Sequence, residues 1–242
     1  SLPPAMLGGH RRFWRHTSFQ EFQRFISSRS GGKVKWIEVS YVRRLVKEMR
    51  GYFTERARLQ ERLLKLSRMV VRNSSRAMTA IHRGDGKNAN RFLKRAERDL
   101  RKLMLLIKKD SWLYTSGASL TAQQEYAEAV LLRSLVNKGE FISPRRMGVS
   151  YHAYLGALAD VIGELRRTVL EALRRNEVQK AEEILELMEE AYEMLMEFDY
   201  ADSIVHGMKR KQDVARRILE KTRGDLTLAV RQERFRREFG RK

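Results

Sequence analysis

Between Trp36 and about Arg83 no proline interrupts the chain and only Gly51 intervenes, while apolar residues return at helical spacing: Val46, Met49, Phe53, Leu59, Leu63, Leu66, Val70, Ala77 and Ile81. A proline-free run whose apolar residues recur every three or four positions commits itself to a helix with one buried stripe. Its remaining positions are mostly Arg, Lys and Glu, so one flank is strongly basic. The pattern repeats downstream. GDGKN at 84–88 has the glycine and Asp/Asn chemistry of a turn, and a second helix is expected from about Ala89 to Lys108. WLYTSG reads as a loop. A third helix spans Leu120 to Asn137, with Thr121 as its capping candidate and Lys138–Gly139 at its close. Pro144 and Gly148 punctuate the next connection. A fourth helix follows over about Ser150–Arg175 and a fifth over Val178–Phe198. The tail holds one or two more, about Tyr200–Thr222 and Leu226–Phe239. No segment alternates as a half-buried strand would. Short connections between amphipathic helices predict an all-α antiparallel bundle of about seven helices, occupying residues 35–242.

Residues 1–34 are of another character. Pro3, Pro4, Gly8 and Gly9, then SSRSGG, surround the aromatic and basic run RRFWRHTSFQEFQRF, which reads as an arm attached to the helical domain. There are no cysteines, which removes disulfides, thiolate metal sites and cysteine nucleophiles and favours a cytoplasmic setting. No apolar run approaches the roughly 20 residues of a membrane span. SLPPAMLGG is too short and mixed to centre a secretory signal, so no export is expected.

The net charge of +20 is unevenly distributed. Residues 1–117 carry 28 Lys and Arg against 9 Asp and Glu, and the rest carries 22 against 21. Within that remainder, residues 171–202 hold 11 acids against 3 bases, and residues 207–242 hold 13 bases against 5 acids. Basic ends flanking an acidic middle attract polyanions, of which nucleic acid is the commonest. Arg72, Arg76, His82 and Arg83 on the first helix, and Lys209, Arg210 and Lys211 in the tail, are the candidates for phosphate contact.

Four acids stand in unusual company. Glu125 and Glu128 lie in QQEYAEAVLL, and Asp160 and Glu164 in LGALADVIGEL. Spacings of three and four put each pair on one helix face, and packing of the two helices would bring all four together. Burying carboxylates that repel one another is costly, so such a group takes up protons or holds a cation. Gly156, Asp160, Gly163 and Glu164 share a stripe on which the glycines would let another backbone approach. None of His10, His16, His82, His152 and His206 forms the Glu-x-x-His pair of a di-iron bundle. An all-oxygen donor set favours Mg2+ or Mn2+.

Other catalytic designs have little support. The chain contains no GxSxG elbow, phosphate-binding glycine loop or dinucleotide fingerprint. Arg76 and His82 near a helix end resemble the loose motif of metal-independent HEPN ribonucleases, although a histidine at a helix C-terminus also has a purely structural reason to be there.

EYAEAVLLRSLV, YLGALADVIGELRR and LLKLSRMVVRNSSRAMTAIHR resemble the translin superfamily, and within it the translin-associated factor X branch, over roughly residues 40–223. The sharpest correspondences are EYxEA at Glu125–Ala129 and DxxGEL at Asp160–Leu165. The resemblance implies an all-α, mostly seven-helix fold, assembly into a hollow octamer, and binding of single-stranded RNA or DNA. It further implies a Mg2+-dependent endoribonuclease whose metal-binding acids are, carried over by position, Glu125, Glu128, Asp160 and Glu164. Glu125 is the carboxylate favoured to orient or deprotonate the attacking water. The long basic arm and the short loop before Tyr151 depart from the family pattern. A chain of this pattern suggests a homo-oligomer, and the competing class is a non-catalytic scaffold that binds single-stranded nucleic acid.

Overall fold

The computed structural model describes residues 36–239 apart from Lys109, Thr115, Ser116, Asp202 and His206, so the arm at 1–34 lies outside the described residues. The order is α1 (Trp36–His82), α2 (Gly86–Ile107), α3 (Ser111–Tyr114), α4 (Gly117–Lys138), α5 (Pro144–Met147), α6 (Tyr151–Arg174), α7 (Val178–Met196) and α8 (Met208–Phe239), with α3 and α5 single turns. The fold is the all-α bundle expected, with no strand among the described residues. No helix in them is long and apolar enough to cross a membrane.

The chain divides into two units between Ala57 and Arg58, within α1. In the first, Val46, Met49 and Phe53 do not continue the core stripe read from their spacing. They are 46%, 50% and 61% exposed, and Tyr41, Val42, Leu45 and Tyr52 are exposed beside them. Periodicity marks which face is apolar, but burial needs a partner.

In the second unit the stripe is covered: Leu63, Val70, Ala77 and Ile81 are buried. The α1–α2 turn works as its composition predicts. Gly84 takes the left-handed conformation at φ 72°, and the Asp85 side chain caps α2 by accepting from the Asn88 N–H at 3.0 Å. Ser143 caps α5, with Pro144 at its first position, and Ser150 caps α6 by accepting from the Ala153 N–H. α4 begins at Gly117, earlier than Thr121, and WLYT begins with the α3 turn rather than a plain loop.

α6 is the centre of this unit, packed on α4, α7 and α8. Its small residues, Ala153, Gly156, Ala157 and Ala159, allow close approach, while Leu158, Ile162 and Leu165 are fully buried. Each such side chain contributes about 1.5–3 kcal/mol relative to exposure. Gln123, 2% exposed on α4, accepts from the Ser150 N–H at 2.8 Å and so ties the start of α6 to α4. The tail is one continuous helix running through Gly224. Arg166 on α6 holds it there, donating to Thr222 Oγ1 at 2.9 Å and Asp225 Oδ2 at 2.7 Å.

Candidate functional site

Four helices of the second unit converge on one group of charges. α4 contributes Gln124, Glu125 and Glu128; α6 contributes Gly156, Asp160 and Glu164; the last residue of α1 contributes His82; and the first turn of α8 contributes Lys211. The two acid pairs share one electrostatic neighbourhood, because Asp160 and Glu164 both act on the titration of Glu125 and of Glu128.

Asp160 is held at both oxygens. Gln124 Nε2 donates to Oδ2 at 2.5 Å, and Lys211 Nζ donates to Oδ1 at 2.6 Å while reaching the Gly156 carbonyl at 3.4 Å. Gly156 has a specific reason to lack a side chain: a Cβ there would stand 2.3 Å from Gln124 Oε1. The neighbour it admits is therefore a side chain and not another backbone. At Gly163 a Cβ would meet only Ile218 Cδ1, at an ordinary 3.9 Å, so that glycine admits nothing close.

Glu164 is paired with His82, Nε2 to Oε2 at 2.5 Å, with Arg167 at 4.0 Å. The hydrogen bond from His82 holds the Glu164 carboxyl below its ordinary range, against the opposing effect of burial. Glu128 has the opposite environment. It is 8% exposed, and burial, followed by repulsion from Asp160, Glu125 and Glu164, pushes it up to about 8. Burial and the same two α6 acids raise Glu125. Lys211 opposes the rise at both.

The four acids outnumber Lys211 and His82, the two bases bonded to them, and every donor they offer is oxygen. A hard divalent cation fits this set. With Asp160 drawn to Lys211 and Glu164 to His82, no group of three ligating side chains among the described residues is arranged to hold an ion as the side chains stand.

Of the basic candidates, Arg72, Arg76, Arg83, Lys209 and Arg210 lie exposed. His82 and Lys211 instead face the carboxylates. Arg76 and Arg91 both approach the Phe92 ring, at 5.8 and 5.1 Å, so Arg76 and His82 have separate partners. A cleft of about 230 Å3 adjoins His82 and Thr168 and is lined also by Arg133, Arg175 and Lys180. Gln124 went unread in the sequence although it precedes Glu128 by four residues and hence shares its face. Lys211 carried no local signal of its place beside Asp160.

The Translin family model matches residues 58–223. An uncharacterized protein of Methanocaldococcus jannaschii is 34% identical over 192 residues, 78% of this chain and 85% of the relative. Among solved structures, the AfC3PO–duplex RNA complex is 32% identical, with a TM-score of 0.68 over 76% of this chain and 95% of that one. AfC3PO itself is likewise 32% identical, with a TM-score of 0.69 over 76% and 96%. Apo-NeC3PO, at 19% identity and a TM-score of 0.70 over 76% and 96%, shares the fold.

Proposed function

The chain belongs to the Translin family, and on that footing we propose that it is a Mg2+-dependent endoribonuclease acting on single-stranded RNA within a homo-oligomeric, octameric shell. The observation that carries this reading is the convergence of Glu125, Glu128, Asp160 and Glu164, with Glu128 buried, raised to about 8 and without a hydrogen bond or ion pair among the described residues. Those four acids would hold Mg2+, or Mn2+ in its place. The bound ion would supply positive charge opposite the scissile phosphate and lower the pKa of a water.

The chain's own groups account for the rest. Exposed Arg72, Arg76, Arg83, Lys209 and Arg210 neutralise phosphates without reading sequence. His82 also lines the cleft that holds Arg133, Arg175 and Lys180 together with Glu171 and Glu177, which offers further phosphate-binding groups near the partner of Glu164. Glu125, whose carboxyl is pushed above its ordinary value by burial and by Asp160 and Glu164, is suited to take a proton from the attacking water. His82 positions Glu164 and keeps it ionised. The AfC3PO–duplex RNA complex supports RNA as the ligand class. The exposed apolar residues of α1 support self-assembly, which a solution mass measurement tests.

The deciding experiment incubates the protein with labelled single-stranded RNA in Mg2+ or in chelator, alongside Asp160→Asn. Cleavage that requires Mg2+ and is lost in the variant is expected. Tight binding with no cleavage under any condition would assign the chain to the non-catalytic scaffolds, and cleavage that persists in chelator would remove the metal from the mechanism.

A further inference from the structure

Lys211 sits where a cation is needed. Its ammonium lies 2.6 Å from Asp160 Oδ1 and 3.4 Å from the Gly156 carbonyl, so it bonds two oxygen atoms of α6, one of them a carboxylate oxygen that a metal ion would seek. It is also the base whose charge is felt by both Glu125 and Glu128 on α4. It is set apart from its neighbours Lys209 and Arg210, which are exposed on the same turn of α8, whereas Lys211 is half-buried and bonded to Asp160. That turn follows directly on Gly207, at φ 69°, whose carbonyl accepts from the Lys211 N–H at 3.3 Å.

We propose that Lys211 is a tethered stand-in cation: it occupies the Asp160 corner of the carboxylate cluster in the metal-free protein and must withdraw when a divalent ion enters. This rests on the reading of the four acids as a divalent-cation site. The physical reason is exclusion. An ammonium donating to Oδ1 and a divalent cation coordinated by the same carboxylate oxygen cannot share the position, and two cations in one small site repel each other. Lys211 therefore stabilises the acids when no metal is present and weakens the site's affinity for metal by the same coupling. Mg2+ binding becomes a displacement, and the released ammonium, on the first turn of α8, is free to face a phosphate.

The test is a Mn2+ titration of the full chain, following the electron paramagnetic resonance signal of the free ion, for the wild type, Lys211→Met, Lys211→Gln and Lys211→Arg. Both neutral variants are expected to bind Mn2+ at least about fivefold more tightly than the wild type, and Lys211→Arg to stay close to it. Thermal melts in chelator should place the neutral variants below the wild type, with a larger rise on adding Mn2+. Lys211→Gln keeps the test open if the Met side chain disturbs folding. Unchanged or weaker Mn2+ binding in both neutral variants, with measurable binding in the wild type, would overturn the proposal and leave the metal site intact. Absence of Mn2+ binding in every protein would overturn the metal reading itself, and this inference with it.

Discussion

Gln124 on α4 reaches Asp160 on α6, amide nitrogen to carboxylate oxygen at 2.5 Å, through space that the missing side chain of Gly156 leaves open. The packing of the two helices and the placement of the acid are thus one constraint.

Gly156→Ala should displace Gln124 and release Asp160 Oδ2. The atom struck is the far end of a flexible side chain, and alanine gains about 1 kcal/mol of helix propensity, so net stability in urea unfolding should move by less than about 1.5 kcal/mol. RNA cleavage should fall as it does in Gln124→Ala. Gly163→Ala is the control, expected to be neutral or slightly stabilising with full activity. A Gly156→Ala variant that behaves like Gly163→Ala in both assays would contradict the role given to Gln124.

Glu128 makes metal-free stability depend on pH. Its folded pKa of about 8 lies above the unfolded value near 4.5, so the folded state binds the extra proton between them. Its stabilising contribution is complete below about pH 4.5 and is lost as pH rises through 8, at up to about 1.4 kcal/mol per unit. Glu125, also raised, adds to the same trend, whereas Glu164, lowered by His82, loses its contribution as pH falls. Unfolding in chelator across pH 5–8 should show stability declining with pH for the wild type and a flatter profile for Glu128→Gln. Equal slopes would argue against a buried, protonated Glu128.

His82→Ala removes the 2.5 Å partner of Glu164. Loss of a hydrogen bond to a charged group costs about 1.5–3 kcal/mol, discounted here because Glu164 is partly exposed. Cleavage should drop and what remains should still be abolished by chelator. Residual cleavage indifferent to chelator would point to chemistry that does not use the carboxylates.

RNA affinity should fall with salt, with a log-log slope of about 0.7 per phosphate neutralised on a single strand. Neutralising Arg72, Arg76, Arg83, Lys209 or Arg210 singly should reduce that slope without changing sequence preference. A salt-independent affinity would remove the exposed basic residues from the interface.

Local spacing carried much of the architecture. Helices α1, α2, α4, α6 and α7 follow from apolar periods, and the turn at Gly84–Asp85 from its own chemistry, because hydrogen bonds and capping act over three or four residues. The same range placed Glu125 with Glu128 and Asp160 with Glu164 on common faces. What the sequence alone determined, then, is which residues share a face. Tertiary structure decided what each face meets. The exposed Val46, Met49 and Phe53 and the buried Leu63, Val70 and Ala77 belong to one helical period, and only packing distinguishes them. Lys211 lies 51 residues from Asp160 in sequence and 2.6 Å from it in space, a pairing that no local pattern encodes because it is created by the docking of α8 against α6.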